Sequence, residues 1–306
     1  MAVALYTHLD MLGHMPPGRH AERPARLAAV TEALAAASGL DLEPREAPLA
    51  ARDDLLRVHD ESYVSAIETA SPLGGVVSLD PDTFMSAGSL TAAMRAAGAA
   101  VAAARAVARG EIKRAFCAVR PPGHHSGPDF AMGFCIFSNI ALAARAAQAA
   151  GMARVAIADF DVHHGNGTQS VFETDPSVLF ASVHQSPLYP GTGDPSETGA
   201  GNIVNAVVAP DAPRETWRRA FEGLVDRIDA FEPDLLLISA GFDAHARDPL
   251  ANQRLEAEDF AWATRALVSV AEGRCAGRIV SSLEGGYDLE GLATSASAHV
   301  KALGDR

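Results

Sequence analysis

Short apolar or β-branched runs alternate with longer alanine-rich stretches along this chain. Several short runs are uniformly apolar, which is typical of central strands in a parallel sheet covered on both faces. The pattern predicts strands at 2–7, 114–120, 155–161, 178–184, 203–208, 234–241 and 278–283. It predicts helices at 23–37, 61–69, 88–109, 137–150, 214–231, 256–273 and 289–303. This alternation indicates one doubly wound α/β layer sandwich.

No internal repeat and no linker divides the chain. The longest stretch rich in glycine and proline, 186–201, is predicted to be a large surface loop, and long loops are often functional. In doubly wound folds, ligands bind outside the carboxyl ends of the strands. Several polar segments follow predicted strands directly, so we expect the functional residues there.

Composition narrows the class of protein. The chain has 306 residues, of which 48% are hydrophobic and 21% charged, and this is typical of a globular protein. A formal net charge of -13 argues against direct nucleic-acid binding through a phosphate-binding surface. The three cysteines are scattered, and the N-terminus has no basic leader, so we expect a soluble cytoplasmic protein. Arginines interrupt the apolar stretches, so no membrane span is predicted.

The segment ADFDVHHGNGTQ carries the strongest chemical signal. Asp159, Asp161 and His163 are spaced two apart, so in an extended strand all three side chains lie on one face. Two buried carboxylates and an imidazole are costly without a partner, and a divalent metal removes that cost. This set of nitrogen and oxygen ligands suits Zn²⁺.

A further metal ligand must come from elsewhere in the chain. The segment SAGFDAHARDP offers Asp243, His245 and Asp248 after an apolar strand. Asp243 is preferred because it is the first polar residue beyond the strand, although an N-cap is the alternative role for it. Three protein ligands leave one position open, which is typical of a catalytic zinc site.

Two other segments offer acid–base and hydrogen-bonding groups. RPPGHHSG holds His124 and His125 rigidly after a strand, although adjacent residues in an extended loop point to opposite sides unless the backbone bends. Rigid imidazoles beside an activated water are candidates for general acid–base catalysis. In SLEGGYD, two glycines let Tyr287 project over a site at a strand end.

The chain contains five segments in the order seen in the histone deacetylase family: RPPGHH, DFDVHHGNGT, YPGTGD, SAGFDAH and EGGYD. That family includes acetylpolyamine amidohydrolases and acetoin-utilisation proteins. GRHAERPARL near the N-terminus is similar to an early segment of the same family. The resemblance implies a single arginase-like α/β catalytic domain over 1–306, with a central, mostly parallel sheet of about eight strands and helices on both faces.

The resemblance also implies roles for the chemical residues. Asp161, His163 and Asp243 match the ligands of one Zn²⁺ ion. The tandem histidines of the family correspond to His124 and His125, and their hydrogen-bond partners correspond to Asp159 and Asn166 respectively. The catalytic tyrosine of the family corresponds to Tyr287. An aspartate partner raises the pKa of a histidine, whereas an amide only orients it, so His125 is expected to be the neutral base and His124 the charged partner.

Other positions match the substrate channel of the family. Phe134 and Tyr189 correspond to its aromatic walls, with Gly133 and Gly285 beside them, although most members carry Phe where this chain has Tyr189. Leu250 stands where some polyamine-selective members carry an acidic residue, which favours an acyl-lysine substrate. A carboxylate at the rim of the channel is expected from Asp80 or Asp82.

The family also implies structural potassium or sodium ions. The inner site corresponds to the backbone carbonyls of Asp159, Asp161 and His163 with the Ser182 hydroxyl. The outer site corresponds to Phe172, Asp175 and Val178.

The sequence therefore predicts a zinc-dependent amidohydrolase that deacylates acyl-lysine side chains of a peptide or protein. The alternatives are a deacetylase of acetylpolyamines or other small acylated amines, and a non-catalytic zinc-binding homologue. The presence of Tyr287 argues against the non-catalytic alternative. A binuclear manganese ureohydrolase needs an aspartate two residues after Asp243, where this chain has His245.

Overall fold

The computed structural model describes residues 1–305. Its centre is an eight-stranded sheet in the order β2-β1-β5-β10-β9-β6-β7-β8, with every neighbouring pair parallel. The strands are β1 Val3–Thr7, β2 Leu42–Glu46, β3 Val76–Ser78, β4 Phe84–Ser86, β5 Arg114–Cys117, β6 Val155–Asp159, β7 Val178–Gln185, β8 Ile203–Val208, β9 Leu235–Ala240 and β10 Ile279–Leu283. The predicted parallel α/β sheet is confirmed.

Helices cover the sheet in two groups. α4 and α5 pack on each other, whereas α1, α9, α8 and α7 form a connected second group. The helices are α1 Pro24–Ala36, α2 Arg52–Leu55, α3 Glu61–Ala70, α4 Ser89–Ala108, α5 Asn139–Ala149, α6 Asn166–Phe172, α7 Arg214–Phe231, α8 Ala257–Arg274 and α9 Leu289–Gly304, with a 3-10 helix at Leu9–Gly13. By length and composition alone α4 could cross a membrane, but 67% of its apolar window is buried, as in a core helix.

Three strands were not predicted from the sequence. β2 lies at the sheet edge, and its sequence LEPRE is partly exposed and contains proline and three charged residues. An edge strand tolerates such residues because only one side must form ladder hydrogen bonds. β3 and β4 form a separate antiparallel pair of three residues each, which is too short to give a periodic pattern.

Two predicted strands end two or more residues earlier than expected, and both lead into the chemical segments. β5 ends at Cys117 rather than at residue 120, and β6 ends at Asp159 rather than at residue 161. The residues that follow leave the sheet in bends, so their side chains are not arranged by strand alternation. The predicted long loop at 186–201 is found, with no helix or strand in it.

Candidate active site

Four neighbouring strands in the middle of the sheet deliver the chemical residues to one place. These strands lie side by side in the order β5, β10, β9 and β6. The loop after β5 carries the tandem histidines, and the loop after β10 carries Tyr287. The loop after β9 carries Asp243, and the loop after β6 carries Asp161 and His163. Because all four strands are parallel, these loops meet at the same edge of the sheet. Residues separated by more than 160 positions in sequence therefore share one site.

Asp161, His163 and Asp243 form the deepest cluster of the site. Their ligand atoms lie within 4.8 Å of one another, and all three residues are buried. His163 Nδ1 is 3.1 Å from Asp161 Oδ1 and 3.0 Å from Asp243 Oδ2. His245 and Asp248, the other candidates in the Asp243 segment, lie outside this cluster of ligand atoms.

The cluster converges for a different reason from the one expected from the sequence. An extended strand that continued to residue 163 would place Asp159, Asp161 and His163 on one face, but β6 ends at Asp159. Beyond it the chain bends, with the Asp161 N–H donating to Asp159 Oδ1 at 3.1 Å and the His163 N–H donating to Asp161 Oδ1 at 2.9 Å. Carboxylates that accept backbone hydrogen bonds two residues ahead stabilise such turns.

The same carboxylates tie neighbouring loops together. The Val162 N–H donates to Asp243 Oδ1 at 2.8 Å, and the Gly285 N–H donates to Asp161 Oδ2 at 2.8 Å. A Cβ at position 285 would lie 2.2 Å from Asp243 Oδ2, so only glycine fits there. Gly285 thus packs behind the cluster, whereas the sequence placed it with the substrate channel.

The electrostatics of the cluster suit a bound divalent cation. Burial and the nearby charge of Asp161 raise the pKa of Asp243 to about 7, although His163 opposes the shift. Two carboxylates so close together in a dry site repel each other unless a positive charge lies between them. A cation held by Asp161, His163 and Asp243 would supply that charge, and two carboxylate oxygens with one imidazole nitrogen form a donor set that fits Zn²⁺.

His124 and His125 lie beside this cluster, with their ring centroids 4.1 Å apart. They face the site together because the backbone bends at Gly123 and His124, whose N–H groups both donate to Glu284 Oε2, at 2.6 and 3.1 Å. Successive N–H groups that converge on one acceptor form a nest, and burial raises the pKa of this Glu284 carboxyl to about 7. Glu284 is fully buried and was missed from the sequence, although it stands in the EGGYD segment.

The environments of the two histidines push their pKa values apart. His124 Nδ1 lies 3.1 Å from Asp159 Oδ2, and His125 Nδ1 lies 2.7 Å from Asn166 Oδ1. Burial disfavours the charged form of His124, but the carboxylates of Asp161 and Asp159 outweigh it and raise its pKa to about 10. Burial and the positive charge of His124 lower the pKa of His125 well below its usual value.

Tyr287 is held from both sides. Its backbone N–H donates to Asp248 Oδ2 at 2.7 Å, and the Arg26 guanidinium carbon lies 4.8 Å from its ring centroid. Arg26 is fully buried and donates to the carbonyl oxygens of Glu284 and Gly286, so it fixes the loop that carries the tyrosine. Burial raises the pKa of Tyr287 well above its usual value, which keeps its hydroxyl a hydrogen-bond donor.

A narrow cavity of about 190 Å³ opens onto these groups. Phe134 meets Tyr287 edge-on at 5.7 Å, and Tyr189 meets His125 edge-on at 5.3 Å, so two aromatic rings face the catalytic candidates. Gly133 is required here because a Cβ would lie 2.3 Å from the His125 ring. The cavity is lined by Asp82, His125, Gly133, Phe134, His163, Leu188, Tyr189, Leu250 and Tyr287.

This lining separates alternatives that the sequence left open. Asp82, and not Asp80, lines the cavity, and its Oδ1 also accepts the Gly133 N–H at 3.0 Å. Leu188 was missed, although it is the immediate neighbour of Tyr189 in the long loop. Leu250 lies at the cavity as the sequence placed it.

The residues assigned to monovalent ions lie at the side of the site. Ser182 on β7 is in register with Asp159 on β6, and its hydroxyl lies 3.0 Å from His184 Nδ1. Phe172, Asp175 and Val178 belong to the connection between α6 and β7.

A larger cavity of about 460 Å³ lies elsewhere, among Thr7, His8, Leu27 and Glu32. It does not contain the metal-ligand cluster or the histidine pair. Volume alone therefore does not identify the functional site, and we place the chemistry in the smaller cavity because the convergent polar groups lie there.

Known proteins are similar to this chain in sequence and in fold. A sequence profile of the histone deacetylase domain matches residues 20–303. A "Probable deacetylase" of Archaeoglobus fulgidus is 39% identical over 302 residues, covering 95% of this chain and 83% of the relative. A "Histone deacetylase-like amidohydrolase" of Pseudomonas aeruginosa is 41% identical over 277 residues, covering 88% and 72%.

A solved structure is similar along nearly the whole chain. The crystal structure of the HDA15 HD domain superimposes with a TM-score of 0.93 at 37% sequence identity, covering 99% of this chain and 91% of that one. Fold, sequence profile and identity to relatives agree with one another. The chain therefore belongs to the histone deacetylase family.

Proposed function

We propose that this protein is a zinc-dependent deacylase of acyl-lysine side chains. The observation that carries the proposal is the narrow cavity whose lining combines His125, His163 and Tyr287. A metal ligand, a neutral histidine and a protonated phenol thus reach the same small volume. These are the groups that amide hydrolysis needs to activate water, accept its proton and stabilise the negative charge on the carbonyl oxygen.

Asp161, His163 and Asp243 would hold the zinc ion, one per chain. Zinc held there supplies Lewis acidity, which polarises the acyl carbonyl and makes a water molecule more acidic. The protein's own contribution is to keep the ligands fixed before binding. Each of the two carboxylates already accepts a backbone N–H from a neighbouring loop, so neither needs to reorganise.

The two histidines have separate tasks. His125 is neutral because its pKa is depressed, so it accepts the proton of the attacking water and later returns it to the leaving amine. His124, whose pKa is raised by Asp159 and Asp161, stays protonated and stabilises negative charge nearby. Tyr287 keeps its proton and donates a hydrogen bond to the developing oxyanion.

The walls of the cavity favour a long unbranched side chain that ends in an acyl group. Phe134 and Tyr189 would enclose its methylene groups, and Leu250 adds an apolar contact. Asp82 at the same cavity would hold the backbone or a positive charge of the substrate. Because Asp82 suits a cationic amine as well, acetylpolyamines or other small acylated amines are the second candidate substrates.

We extend the proposal to the whole protein. The catalytic candidates come from the loops of adjacent strands of one sheet, which supports a single catalytic domain over 1–306. The surplus of acidic residues supports action on cationic peptides or amines without direct nucleic-acid contacts, and we propose the cytoplasm as the location. A monovalent ion at the inner carbonyl set beside Ser182 remains part of the proposal.

A substrate panel tests the proposed function. Zinc-loaded protein is incubated with peptides that carry acetyl- and longer acyl-lysine, and with acetylated spermidine and putrescine. Preferential release of the acyl group from the peptides supports the proposal. A preference for acetylated polyamines supports the second candidate, and a zinc-saturated protein that hydrolyses none of them contradicts both.

Asp161→Ala should abolish stoichiometric zinc binding, because it removes one ligand and the acceptor of two backbone N–H groups. Asp248→Asn is the matched control, since Asp248 is a nearby buried carboxylate outside the cluster and should keep about one zinc per chain. Metal content after dialysis is measured by mass spectrometry. Full zinc occupancy in Asp161→Ala contradicts the assignment of the ligands.

Tyr287→Phe should leave the zinc content unchanged and lower kcat roughly 100-fold or more, because it removes one donor to the oxyanion. Tyr6→Phe, in the first strand, controls for loss of a buried tyrosine hydroxyl far from the cavity. Steady-state turnover of an acetyl-lysine peptide is the measurement. A Tyr287→Phe enzyme as fast as Tyr6→Phe removes the hydroxyl from the mechanism.

Glu284→Ala should lower kcat more than it changes KM, because the two N–H groups that turn both histidines toward the site lose their acceptor. It also leaves two buried N–H groups unpaired, at a cost of about 2 kcal/mol in unfolding free energy. Glu284→Gln keeps one acceptor oxygen and the volume, so its kcat should lie between those of wild type and Glu284→Ala. Equal kcat in all three proteins contradicts this role.

Leu250→Glu should shift the ratio of kcat/KM values toward acetylated polyamines by roughly fivefold, since a new ion pair at the cavity contributes about 1 kcal/mol. Leu250→Gln has the same shape without the charge and should leave the ratio near that of wild type. An unchanged ratio in Leu250→Glu shows that this position does not select between the two substrate classes.

A further inference from the structure

Three backbone carbonyls in the connection between α6 and β7 converge on the side chain of Asn202. The Asn202 Nδ2 atom lies 2.8 Å from the oxygen of Phe172, 3.0 Å from that of Asp175 and 2.7 Å from that of Val178. Asn202 is only 3% exposed. These carbonyls belong to the three residues that the family resemblance assigns to the outer monovalent ion.

The orientation of this amide is fixed by its second atom. Asn202 Oδ1 accepts the Ala200 N–H at 3.0 Å, and the backbone carbonyl of Asn202 accepts the Phe180 N–H at 2.9 Å. A flipped amide would place Oδ1 against three carbonyl oxygens and NH₂ against an N–H donor, so the network assigns the nitrogen to the carbonyl side.

A side-chain nitrogen and a cation cannot share this position. Carbonyl oxygens that converge on one point suit a potassium ion, because they replace its hydration shell. Here the partly positive NH₂ group fills that point and donates its two hydrogens among the three oxygens. We infer that the Asn202 amide takes the place of the outer monovalent cation. A side chain of the protein, and not an exchangeable ion, then fills the outer site.

Arg145 supplies a full positive charge to the same segment. Its guanidinium lies 2.5 Å from Asp175 Oδ2 and 4.7 Å from the Phe172 ring centroid. The segment is therefore bound by one amide and one guanidinium that belong to the chain itself. Its stability should not depend on the potassium concentration, unlike a segment held by an exchangeable ion.

The segment matters to the proposed active site because it joins two of its elements. α6 begins with Asn166, the partner of His125, and β7 carries Ser182 beside Asp159. Fixing the connection between them limits how far Asn166 can move. The inference itself concerns ion binding and does not require that the proposed reaction take place.

Crystals soaked in thallium(I), a potassium-sized ion with strong anomalous scattering, test the inference directly. Wild type should show no thallium at the three carbonyls, and Asn202→Ala should gain a thallium peak there. Thallium within about 3 Å of the three oxygens in wild type overturns the inference. So does an Asn202→Ala protein that shows no peak there.

Thermal unfolding provides a second readout in solution. Replacing choline chloride with potassium chloride at constant ionic strength should raise the Tm of Asn202→Ala by about 3 °C more than that of wild type. Asn205→Ala is the matched control, because Asn205 lies on β8, the strand that begins directly after Asn202, but its amide donates to Gln169. An equal potassium response in Asn202→Ala, Asn205→Ala and wild type contradicts the inference.

Asn202→Asp covers the case in which the alanine variant does not fold. It keeps the shape but replaces the donor with a carboxylate oxygen, so it should bind thallium at the three carbonyls and gain stability in potassium. An Asn202→Asp protein whose Tm is insensitive to potassium, with no thallium at this position, also overturns the inference.

Discussion

Two buried carboxylates, Asp161 and Asp243, set the constraint on which the site depends. They lie against the same imidazole nitrogen of His163, and both are fully buried. Asp243 accepts a backbone N–H with one oxygen and directs the other at His163, whereas both oxygens of Asp161 accept backbone N–H groups and one of them also lies against His163. The charge repulsion that a cation would relieve and the hydrogen bonds that join the loops therefore come from the same two side chains.

The electrostatic difference between the histidines follows from their second partners. The His124 ring faces the carboxylates of Asp159 and Asp161, which raise its pKa. The His125 ring faces the amide of Asn166 and the positive charge of His124, and its pKa is lowered. Both rings are buried to a similar degree, so burial alone does not distinguish them. Two adjacent residues of the same type thus acquire opposite protonation states, which is the arrangement that proton transfer at neutral pH requires.

Much of this could be predicted from the sequence, and the limits have physical causes. Apolar runs in the sequence predict the central strands. They do not predict the edge strand Leu42–Glu46, because it is too exposed to require a regular pattern of apolar residues. The sequence predicts that Asp161 and His163 lie close together, and they do. The predicted reason, one face of an extended strand, is wrong, because bends after the end of β6 bring the two residues together. Spacing cannot reveal such bends, because side-chain hydrogen bonds create them.

Residues that act on the backbone were the hardest to find. Glu284 and Arg26 both stand in motifs that the sequence highlighted, yet their contacts are with N–H and carbonyl groups that no side-chain pattern reports. Asn202 is a similar case, because its amide meets three carbonyls from a segment more than 20 residues earlier. Only the folded chain shows these contacts.

In the proposed mechanism, hydrolysis depends on one zinc ion held by Asp161, His163 and Asp243. The most direct measurement is the deacetylation rate of an acetyl-lysine peptide by chelator-stripped protein as zinc is added back in known amounts. Turnover should be negligible without metal and should rise until it saturates at about one zinc per chain. Full turnover by the metal-free protein, or none at saturating zinc, would contradict the proposed mechanism.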